Sequence, residues 1–414
     1  MSVPSDLRAI VAAAPAGEIG VAVSGGGDSV ALLLMLREAV EAAGRTVAAV
    51  TVDHGLRPEA AEEAAAVAVL CARLGVPHAV LRWEGWDGRG NMQDRARAAR
   101  RALIAQWARS RGIGAVALGH TLDDQAETVL LRLARGSGVD GLAAMAPVAG
   151  GEGILWLRPL LGVRRGALRI WLAGQGVGWA EDPSNDDPRF DRVRVRAALP
   201  ALAALGIGPE RLAATARAMA RARAALEAAT AELGRRAVEE GPAGDLEIDP
   251  AGLAGAPEEI RLRLLAAALG WVSGAVLRPR LMRLEAALAA IEAGRVGHGL
   301  TLNGCVLRVR AGRVAVRREP ARTAAAVPLA AGRWDGRWEL FGRPPEGQGM
   351  TIGALGAGGL ARLAPLPPGI ARETLATTPA VWRAGELVAA PLARPEPDFG
   401  FRRAYAGIKP WSGD

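Results

Sequence analysis

The sequence is poor in the residues that stabilise secreted proteins. It contains two cysteines, Cys71 and Cys305, among 414 residues. Two thiols are too few for a disulfide framework or for a zinc site with four thiolates. No stretch of about 20 apolar residues is free of charge, so no membrane-spanning helix is expected. Residues 1–6 lack a basic region followed by an apolar one, which argues against a signal peptide. We therefore expect a cytoplasmic protein with no membrane association.

Lysine is nearly absent, and arginine supplies the positive charge. Lys409 is the single lysine, yet the formal net charge is +8. A positive balance favours a polyanionic partner, although arginine excess alone is weak evidence for nucleic acid because genomic base composition can produce it. Half of the residues are apolar, which supports sizeable cores in two or three domains.

One glycine-rich stretch organises the N-terminal part of the chain. Residues 20–29 read G-V-A-V-S-G-G-G-D-S. An apolar run at 19–23 predicts a strand, and the pattern at 30–40 predicts a helix. A strand, a glycine turn and a helix start form a phosphate cradle, because the first amides of the helix point at an anion.

The loop matches neither of the two common glycine motifs. No lysine follows it, which excludes a Walker loop, and its glycine spacing does not fit the dinucleotide fingerprint. The form S-G-G-x-D-S is similar to the pyrophosphate loop of enzymes that split ATP into AMP and pyrophosphate. We therefore expect ATP phosphates to bind the loop residues, which are Ser24, Gly25, Gly26, Gly27, Asp28 and Ser29. A plain strand–helix turn is the alternative for a lone match.

Strands and helices alternate through the first 200 residues. Predicted strands are 19–23, 47–52, 77–83, 114–119 and 154–160; predicted helices are 30–40, 58–74, 91–111, 120–135 and 164–175. This order predicts an α/β fold with a doubly wound, mostly parallel sheet. Ligands of such sheets bind beyond the carboxyl ends of the strands. The loop, Asp53-His54 and residues 120–124 should therefore lie at one edge.

Carboxylates, histidines and arginines near that edge are the candidate site residues. Asp28, Asp124 and Glu127 could serve a magnesium ion through oxygen ligation, while Asp123 and Asp124 could instead compensate a helix dipole. His54 and His120 could contact phosphate or act as acids, or simply bond to backbone. Three arginines share one predicted helix and face either phosphates or solvent; they are Arg95, Arg97 and Arg100.

The second half of the chain has weaker signals. We expect a hinge at 200–208, a long helix at 209–240, further helices at 257–268 and 279–293, and a strand pair at 301–318 around Ala311-Gly312-Arg313. Short runs at 338–341 and 387–390 suggest a β-rich module. The predicted domains are 1–205, 206–320 and 321–414. Three tryptophans could stack on RNA bases or belong to the core; they are Trp334, Trp338 and Trp382.

Several ordered segments together resemble one family. They are S-G-G-G-D-S at 24–29, D-H-G-L-R at 53–57, N-M-Q-D-R-A-R-A-A-R at 91–100, G-H-T-L-D-D-Q-A-E-T at 119–128, R-G-S-G-V-D-G-L at 135–142, R-P-L-L at 158–161 and E-D-P-S-N at 181–185. This set is similar to bacterial tRNA(Ile)-lysidine synthetases and covers most of residues 19–200. Downstream, the likeness is one of layout, with a pattern at 378–391 similar to the family's C-terminal domain.

The resemblance implies a fold and an activity. The fold would be an adenine nucleotide alpha-hydrolase-like domain followed by a helical, tRNA-binding domain and a small C-terminal domain. The enzyme would use ATP and Mg²⁺ to adenylate the wobble cytidine of tRNA(Ile) with a CAU anticodon. Free L-lysine would then displace AMP, which makes the enzyme a ligase that forms a carbon–nitrogen bond. The oligomeric state is left open, with a dimer as one option.

The resemblance also implies residue roles. Catalytic roles fall on Asp28, His120, Asp124 and Glu127, with Asp28 and Asp124 as metal ligands. The nucleotide would contact the glycine loop and four further residues, which are Asp53, His54, Arg95 and Arg97. The sequence departs from the family pattern at Thr121, Arg101 and Val193, and Val193 weakens any asparagine-specific contact there.

Two other functions remain open from the sequence. A tRNA thiolase with the same loop would need reactive cysteines near it, and Cys71 and Cys305 are not placed for that role. A non-catalytic nucleotide-binding module that docks on RNA would not need the aspartates and histidines around the loop.

Overall fold

The computed structural model describes residues 4–55, 59–83, 92–181, 189, 191–275, 277–297, 299–345, 347–363, 365–404, 409 and 411. The chain divides into two compact units, Met1–Arg223 and Ala224–Asp414. Within the described residues, no helix has both the length and the apolarity to cross a membrane.

The first unit alternates strands and helices, as the sequence predicts. In chain order its elements are α1 Ser5–Ala13, β1 Ile19–Ala22, α2 Gly27–Ala42, β2 Val47–Asp53, α3 Glu59–Leu74, β3 His78–Arg82, α4 Met92–Ser110, β4 Ala115–Ala117, α5 Leu122–Leu133, α6 Val139–Leu142, β5 Val148–Gly151, β6 Ile154–Leu157, α7 Arg165–Gly174, α8 Asp191–Ala204 and α9 Pro209–Ala237. The boundary between the two units falls inside α9.

Six strands form one sheet in the order β3-β2-β1-β4-β6-β5. All neighbouring pairs are parallel except β5 with β6. Ile19 and Val21 of β1 pack in a core layer with α2, whereas Ala22 packs in a second layer with Trp107 of α4. Because both faces are covered, the strands read as continuous apolar runs. The predicted doubly wound, mostly parallel sheet is confirmed.

Two features of this unit differ from expectation. Strand β5 is an antiparallel edge strand that its short sequence, Val-Ala-Gly-Gly, did not reveal. The predicted hinge at 200–208 is wrong at its start, because α8 continues through Pro200 to Ala204. Proline removes one backbone hydrogen bond, but a helix tolerates it when its remaining bonds are kept. The chain turns only afterwards, at Gly206, whose φ is +81°.

The second unit contains more strand than expected. After α9 its elements are β7 Val238–Glu240, β8 Leu246–Ile248, α10 Pro250–Leu253, α11 Glu258–Ser273, α12 Leu281–Glu292, β9 Leu300–Leu302, β10 Cys305–Arg310, β11 Arg313–Arg318, β12 Val327–Pro328, β13 Arg333–Trp334, β14 Trp338–Gly342, β15 Met350–Ala354, α13 Gly356–Arg362, α14 Arg372–Ala376, β16 Pro379–Arg383, β17 Glu386–Ala389 and β18 Phe399–Arg403. They form three sheets, ordered β7-β8-β11-β10-β9, β12-β15-β16-β17 and β13-β14-β18.

The predicted strand pair at 301–318 is confirmed as the β10–β11 hairpin, with one refinement. Its turn is Ala311-Gly312, where both φ angles are positive, at +49° and +77°. The first half of the predicted pair is divided into two strands, β9 and β10, because Asn303-Gly304 makes a second turn with φ of +52° and +73°. An asparagine–glycine pair favours such a two-residue hairpin turn.

A buried ionic network joins the two parts of this unit that the sequence assigned to separate domains. Asp335 accepts hydrogen bonds from Arg318 at 2.7 and 3.0 Å and from Arg337 at 2.6 Å. Arg337, 2% exposed, also donates to the carbonyl oxygens of Val272 and Thr377. The division at 320 stays a prediction. Trp334 and Trp338, each 2% exposed, belong to the core nearby.

Replacing Asp335 with alanine should destabilise the second unit by about 3–5 kcal/mol, because it leaves two buried guanidiniums without their carboxylate. Denaturant unfolding checks this. Glu339→Gln is the matched control, since Glu339 pairs with the exposed Arg333 and Arg402 and should cost less than about 1 kcal/mol. Equal losses in the two variants would contradict the network's role.

Candidate active site

The glycine loop is closed by the serine at its end. The Oγ atom of Ser29 accepts a hydrogen bond from the Ser24 amide at 3.1 Å and donates to the Gly26 carbonyl oxygen at 2.9 Å. Gly25 has φ of +90°, a conformation that favours glycine. Helix α2 then begins at Gly27, and within the described chain no side chain caps it. Its first turn is therefore open to an anion.

A second segment crosses the loop. The Ala180 amide donates to the Gly25 carbonyl oxygen at 2.9 Å, and Ala180 forms an isolated parallel bridge with Gly26. The ring of Trp179 lies 3.4 Å from the position that a Cβ atom would take on Gly27. Residues 182–185 of the E-D-P-S-N segment follow directly but lie outside the described residues.

Gly119 brings the end of β4 against the loop. A Cβ atom there would lie 3.0 Å from both the Cα and the amide nitrogen of Ser29, and 3.1 Å from the carbonyl carbon of Asp28. These are backbone atoms of a hydrogen-bonded loop, so they cannot rotate away as a side chain would. Gly119 thus allows the two strand ends to meet.

One arginine connects the three candidate carboxylates. Arg165, the first residue of α7, donates from Nε to Asp28 Oδ2 at 2.8 Å and from Nη2 to Asp124 Oδ1 at 3.0 Å. Its Nη1 atom lies 3.6 Å from Glu127 Oε1. Arg196 donates from Nε to the same Glu127 oxygen at 2.5 Å. The sequence pattern correctly predicted that Asp28, Asp124 and Glu127 lie near one another, but it identified neither arginine as a site residue.

The electrostatics of these carboxylates follow from burial and from Arg165. Burial raises the pKa of Asp28 above its ordinary value, against the opposing effect of Arg165. Burial acts in the same direction on Asp124, which is 6% exposed, but Arg165 and the hydrogen bonds from Thr121 outweigh it and hold the pKa of Asp124 below its usual range. Burial opposes the charge of Arg165, yet Asp124 and Asp28 raise the pKa of its guanidinium.

The two aspartates that open α5 have different tasks. Asp123 accepts from the Arg165 amide at 2.7 Å and from Arg164 Nε at 3.0 Å, so it holds the start of α7. Asp124 forms a capping box with Thr121, accepting from the Thr121 amide and hydroxyl, each at 2.8 Å. Thr121, a departure from the family pattern, therefore orients the Asp124 carboxylate.

His120 and His54 are held as neutral imidazoles. Burial lowers the pKa of His120 to about 4; Asp124 acts in the opposite direction, and Arg158 and Arg97 lower it further. Burial, followed by Arg100, lowers the pKa of His54. The Nδ1 atom of each ring is buried and lacks a hydrogen-bond partner within the described part of the chain. Both rings therefore retain polar capacity for a ligand.

Asp53, by contrast, already accepts a hydrogen bond within its own turn. Its Oδ1 atom accepts from the Gly55 amide at 2.8 Å, and Arg82 lies 4.0 Å from its Oδ2 atom. The next residues of the D-H-G-L-R segment, 56 and 57, lie outside the described residues.

Arginines of α4 and neighbouring elements form a cationic wall. Desolvation at the site, followed by the charge of Arg192, lowers the pKa of both Arg97 and Arg100, although solvent still reaches each side chain. Arg158, 8% exposed, has its pKa lowered to about 10 by burial and then by Arg101 and Arg97. Cations gathered in this way favour an anionic ligand. Arg95 lies exposed on α4.

Arg101, another departure from the family pattern, makes contacts with Glu152 and Trp156 that stabilise the fold. It pairs with Glu152 at 2.9 Å and stacks over the Trp156 ring at 4.7 Å. Val193 lies in α8, between Arg192, which lowers the pKa of Arg97, and Arg196, which binds Glu127.

Sequence reasoning missed four residues of the site: Gly119, Arg158, Arg165 and Arg196. Two of them stand in segments quoted above, Gly119 in G-H-T-L-D-D-Q-A-E-T and Arg158 in R-P-L-L, and Arg196 lies three residues after Val193. Those segments carried the signal, but no rule assigned these residues a partner. Arg165 had no local signal apart from its place at a helix start.

Asp28 and Asp124 fit a magnesium ion that phosphate oxygens and waters also bind. No group of three or more His, Cys, Asp or Glu side chains is placed to hold a metal among the residues described. Asp28 nevertheless has a buried Oδ1 atom that is unpartnered within the described chain. Mg²⁺ often binds one or two carboxylates, with phosphate oxygens and waters completing its octahedron. Asp28 and Asp124 suit that arrangement.

Gly119→Ala should weaken ATP binding about ten-fold, because the new methyl group displaces the backbone at Ser29. Isothermal titration with ATP measures this. Gly178→Ala is the control, since its Cβ atom would meet nothing within 4 Å. Equal affinities for the two variants would show that the close approach at Gly119 does not shape the loop.

His120 should titrate near pH 4, far below the value of about 6.5 for an exposed histidine. Since its folded pKa is depressed, its stabilising contribution is present above pH 6.5 and is lost as the pH falls towards 4. With four histidines in the chain, NMR of labelled imidazoles resolves each titration, and His120→Gln identifies the signal. A midpoint near 6.5 would contradict the buried neutral ring.

Comparison with known proteins agrees with this geometry. The family model described as a PP-loop domain, an ATP-binding domain, matches residues 2–202. Among solved structures, the U34-tRNA thiolase of Methanococcus maripaludis, titled with its [4Fe-4S] cluster, aligns at 16% identity and a TM-score of 0.44, over 53% of this chain and 74% of that one. That likeness is too distant to inform function.

Two of the curated relatives match nearly the whole chain. The tRNA(Ile)-lysidine synthase of Ruegeria pomeroyi is 46% identical over 390 residues, which is 94% of this chain and 91% of the relative. The protein of the same name from Mesorhizobium japonicum is 40% identical over 400 residues, covering 92% of this chain and 86% of the relative. With a relative this similar over almost its full length, and with the loop and its carboxylates in place, the chain belongs to the tRNA(Ile)-lysidine synthase family.

Proposed function

We propose that this protein uses ATP to attach lysine to the wobble cytidine of tRNA(Ile) with a CAU anticodon, releasing AMP and pyrophosphate. The observation that carries the proposal is the meeting of the glycine loop with the Asp28, Asp124 and Glu127 carboxylates at one sheet edge. The relatives named tRNA(Ile)-lysidine synthase support the choice of substrates.

The reaction has two displacements. In the first, the 2-carbonyl oxygen of cytidine attacks the α-phosphorus of ATP, and pyrophosphate leaves with the electrons of the broken P–O bond. In the second, the ε-nitrogen of lysine, after losing one proton to become a neutral amine, attacks carbon 2. AMP leaves with the electrons of the broken C–O bond, and the nitrogen then releases a second proton. The protein supplies orientation and charge stabilisation, which dominate catalysis of phosphoryl and nucleotidyl transfer.

The loop side of the site suits the phosphates. The open first turn of α2 offers backbone amides and a positive dipole end to the pyrophosphate that leaves. The arginines of the cationic wall, Arg97, Arg100, Arg158 and Arg192, supply further positive charge. Asp28 and Asp124 would hold Mg²⁺, which neutralises phosphate charge when bound. His120, neutral at pH 7, can donate a hydrogen bond from one ring nitrogen and accept with the other.

The carboxylate side of the site suits an ammonium group. Glu127 is fully buried and Asp124 nearly so, which leaves negative charge inside a shielded cleft. A lysine side chain entering this cleft would place its ε-nitrogen among acceptors that favour its charged form before it reacts. The net positive charge of the chain suits tRNA as the second polyanion. Because its substrate is tRNA, the enzyme would act in the cytoplasm.

The thiolase alternative finds no support in the cysteines. Burial raises the pKa of the Cys71 thiol to about 11 and that of Cys305 to about 12, whereas reactive cysteines have depressed pKa values. Cys71 is buried in α3, and Cys305 lies in β10 of the second unit. A module that only binds nucleotide would have no use for three carboxylates converging on one guanidinium.

The purified enzyme should release AMP from ATP only when both L-lysine and unmodified tRNA(Ile) with the CAU anticodon are present. Radiolabelled lysine should enter that tRNA and not methionine tRNA with the same anticodon. Asp28→Asn should lower the rate at least about 100-fold, because it removes charge from the loop at the transferring phosphorus.

Three other results would each contradict part of the proposed function. Release without a lysine requirement would retain the adenylating reaction and overturn lysine as the second substrate. No release with any tRNA would favour the nucleotide-binding module. Asp28→Asn at full rate would exclude the stated role of that carboxylate.

A further inference from the structure

Carboxylates outnumber guanidiniums in the direct ion pairs around Arg165. Three carboxylates, Asp28, Asp124 and Glu127, pair directly with two guanidiniums, Arg165 and Arg196. Two further arginines act electrostatically on Asp28 and Asp124 without a direct ion pair to them among the described residues; they are Arg169 and Arg97. Asp28 Oδ1 is buried and has no donor within the described chain. This unpartnered oxygen is an acceptor that a further cation could use.

Arg165 faces a different carboxylate with each of its three nitrogens. Nε contacts Asp28 of the loop, Nη2 contacts Asp124, and Nη1 faces Glu127 on the next turn of α5. Its position is fixed from behind, because Asp123 accepts from the Arg165 amide at 2.7 Å. The guanidinium therefore spans the distance between the loop and α5 and holds their carboxylates near each other, although like charges repel.

A cation that binds both aspartates would compete with Arg165 at Asp124, although Asp28 keeps its Oδ1 atom available. Arg165 Nε occupies Asp28 Oδ2, and Arg165 Nη2 occupies Asp124 Oδ1. The remaining Asp124 oxygen already accepts two hydrogen bonds from Thr121. A cation that binds both aspartates must share or displace the guanidinium. The Arg165 side chain is 22% exposed and can move outward, whereas that of Glu127 is 1% exposed.

We propose that Arg165 is a resident cation that positions the carboxylates before substrates bind and is exchanged for the cation that the reaction brings to Asp28 and Asp124. The incoming cation is either a divalent metal ion, which coordinates carboxylate oxygens, or the ammonium group of lysine, which donates hydrogen bonds to them; both compete with a guanidinium for the same negative charge. The exchange makes Arg165 a positioning residue, and it lowers the affinity of the empty enzyme for a free cation. ATP restores that affinity by contributing phosphate oxygens of its own.

The identity of the two cations rests on the proposed function, but the exchange itself does not. It is tested without tRNA and without turnover, by titrating the full-length protein with Mn²⁺ as the probe for an oxygen-ligated Mg²⁺ site and following free Mn²⁺ by electron paramagnetic resonance. Failure of lysidine synthesis would leave this result intact, and failure of this test would leave the reaction intact.

Arg165→Gln should bind Mn²⁺ about ten-fold more tightly than the unaltered enzyme in the absence of ATP, because the competing charge is gone. If Arg165 only stabilised the structure of the site, Arg165→Gln would bind Mn²⁺ more weakly than the unaltered enzyme. Arg165→Lys, which keeps the charge at the same place, should return the affinity towards that of the unaltered enzyme and also serves if Arg165→Gln fails to fold. Arg169→Gln is the control for loss of a nearby charge, since Arg169 lies one turn further along α7, pairs with Glu181 and has only a minor electrostatic effect on Asp28.

A second arm distinguishes the two cations. Calorimetric titration with L-lysine, and with norleucine, which lacks the ε-ammonium group, is run on the same variants. Tighter Mn²⁺ binding in Arg165→Gln assigns the exchange to a metal ion, and tighter lysine binding with unchanged norleucine assigns it to the ammonium. If neither tightens, or if Arg169→Gln tightens equally, the exchange is overturned.

Discussion

The site depends on one guanidinium that satisfies carboxylates from separate parts of the chain. Arg165 contacts Asp28 in the glycine loop and Asp124 in α5, while its own backbone is held by Asp123. Charged hydrogen bonds of this kind are strong, and removing the shared partner leaves like charges together in a poorly solvated place. The loop, α5 and α7 are therefore tied at one point, beyond the carboxyl ends of β1 and β4.

This arrangement separates the site into two regions of opposite charge. The phosphate-facing region combines the open start of α2 with arginines whose pKa values are lowered by desolvation and by one another. The other region holds buried carboxylates. The proposed reaction would need opposite environments for ATP and for an amine within reach of one cytidine, and the first unit offers both. In that reaction, charge would place the reactants before any group moves a proton.

The sequence predicted what local chemistry determines. The glycines and serines at 24–29 indicate the loop, because Gly25 takes a positive φ and Ser29 closes the loop with hydrogen bonds. Asp124, His120 and Asp53 could be placed because each follows a strand of a parallel sheet. Arg165 could not be found, since it lies 137 residues from Asp28 in the chain and looks like many other arginines in a sequence rich in them. Gly119 escaped notice because its role is a close approach of two backbones, which no pattern reports.

In the second half of the chain, prediction from sequence was limited by short elements and by long-range contacts. Its three long helices, α9, α11 and α12, were predicted, whereas the short helices α10, α13 and α14 were not. Strands of two to six residues leave little pattern, and the sequence did not reveal β7, β8 or the division of β9 from β10. The buried network of Asp335 with Arg318 and Arg337 joins segments that composition assigns to different domains. Long-range ion pairs of this type are a property of the folded chain and have no local signature.

The most direct test of the account is a crystal structure with Mn²⁺ and an ATP analogue whose α,β-bridge cannot be cleaved, with the metal located by anomalous scattering. We predict phosphates on residues 24–29 at the start of α2, the metal beside Asp28 Oδ1, and Arg165 withdrawn from at least one aspartate. A metal bound elsewhere, or phosphates bound away from the loop with Arg165 still bridging Asp28 and Asp124, would contradict the central role given to this interaction.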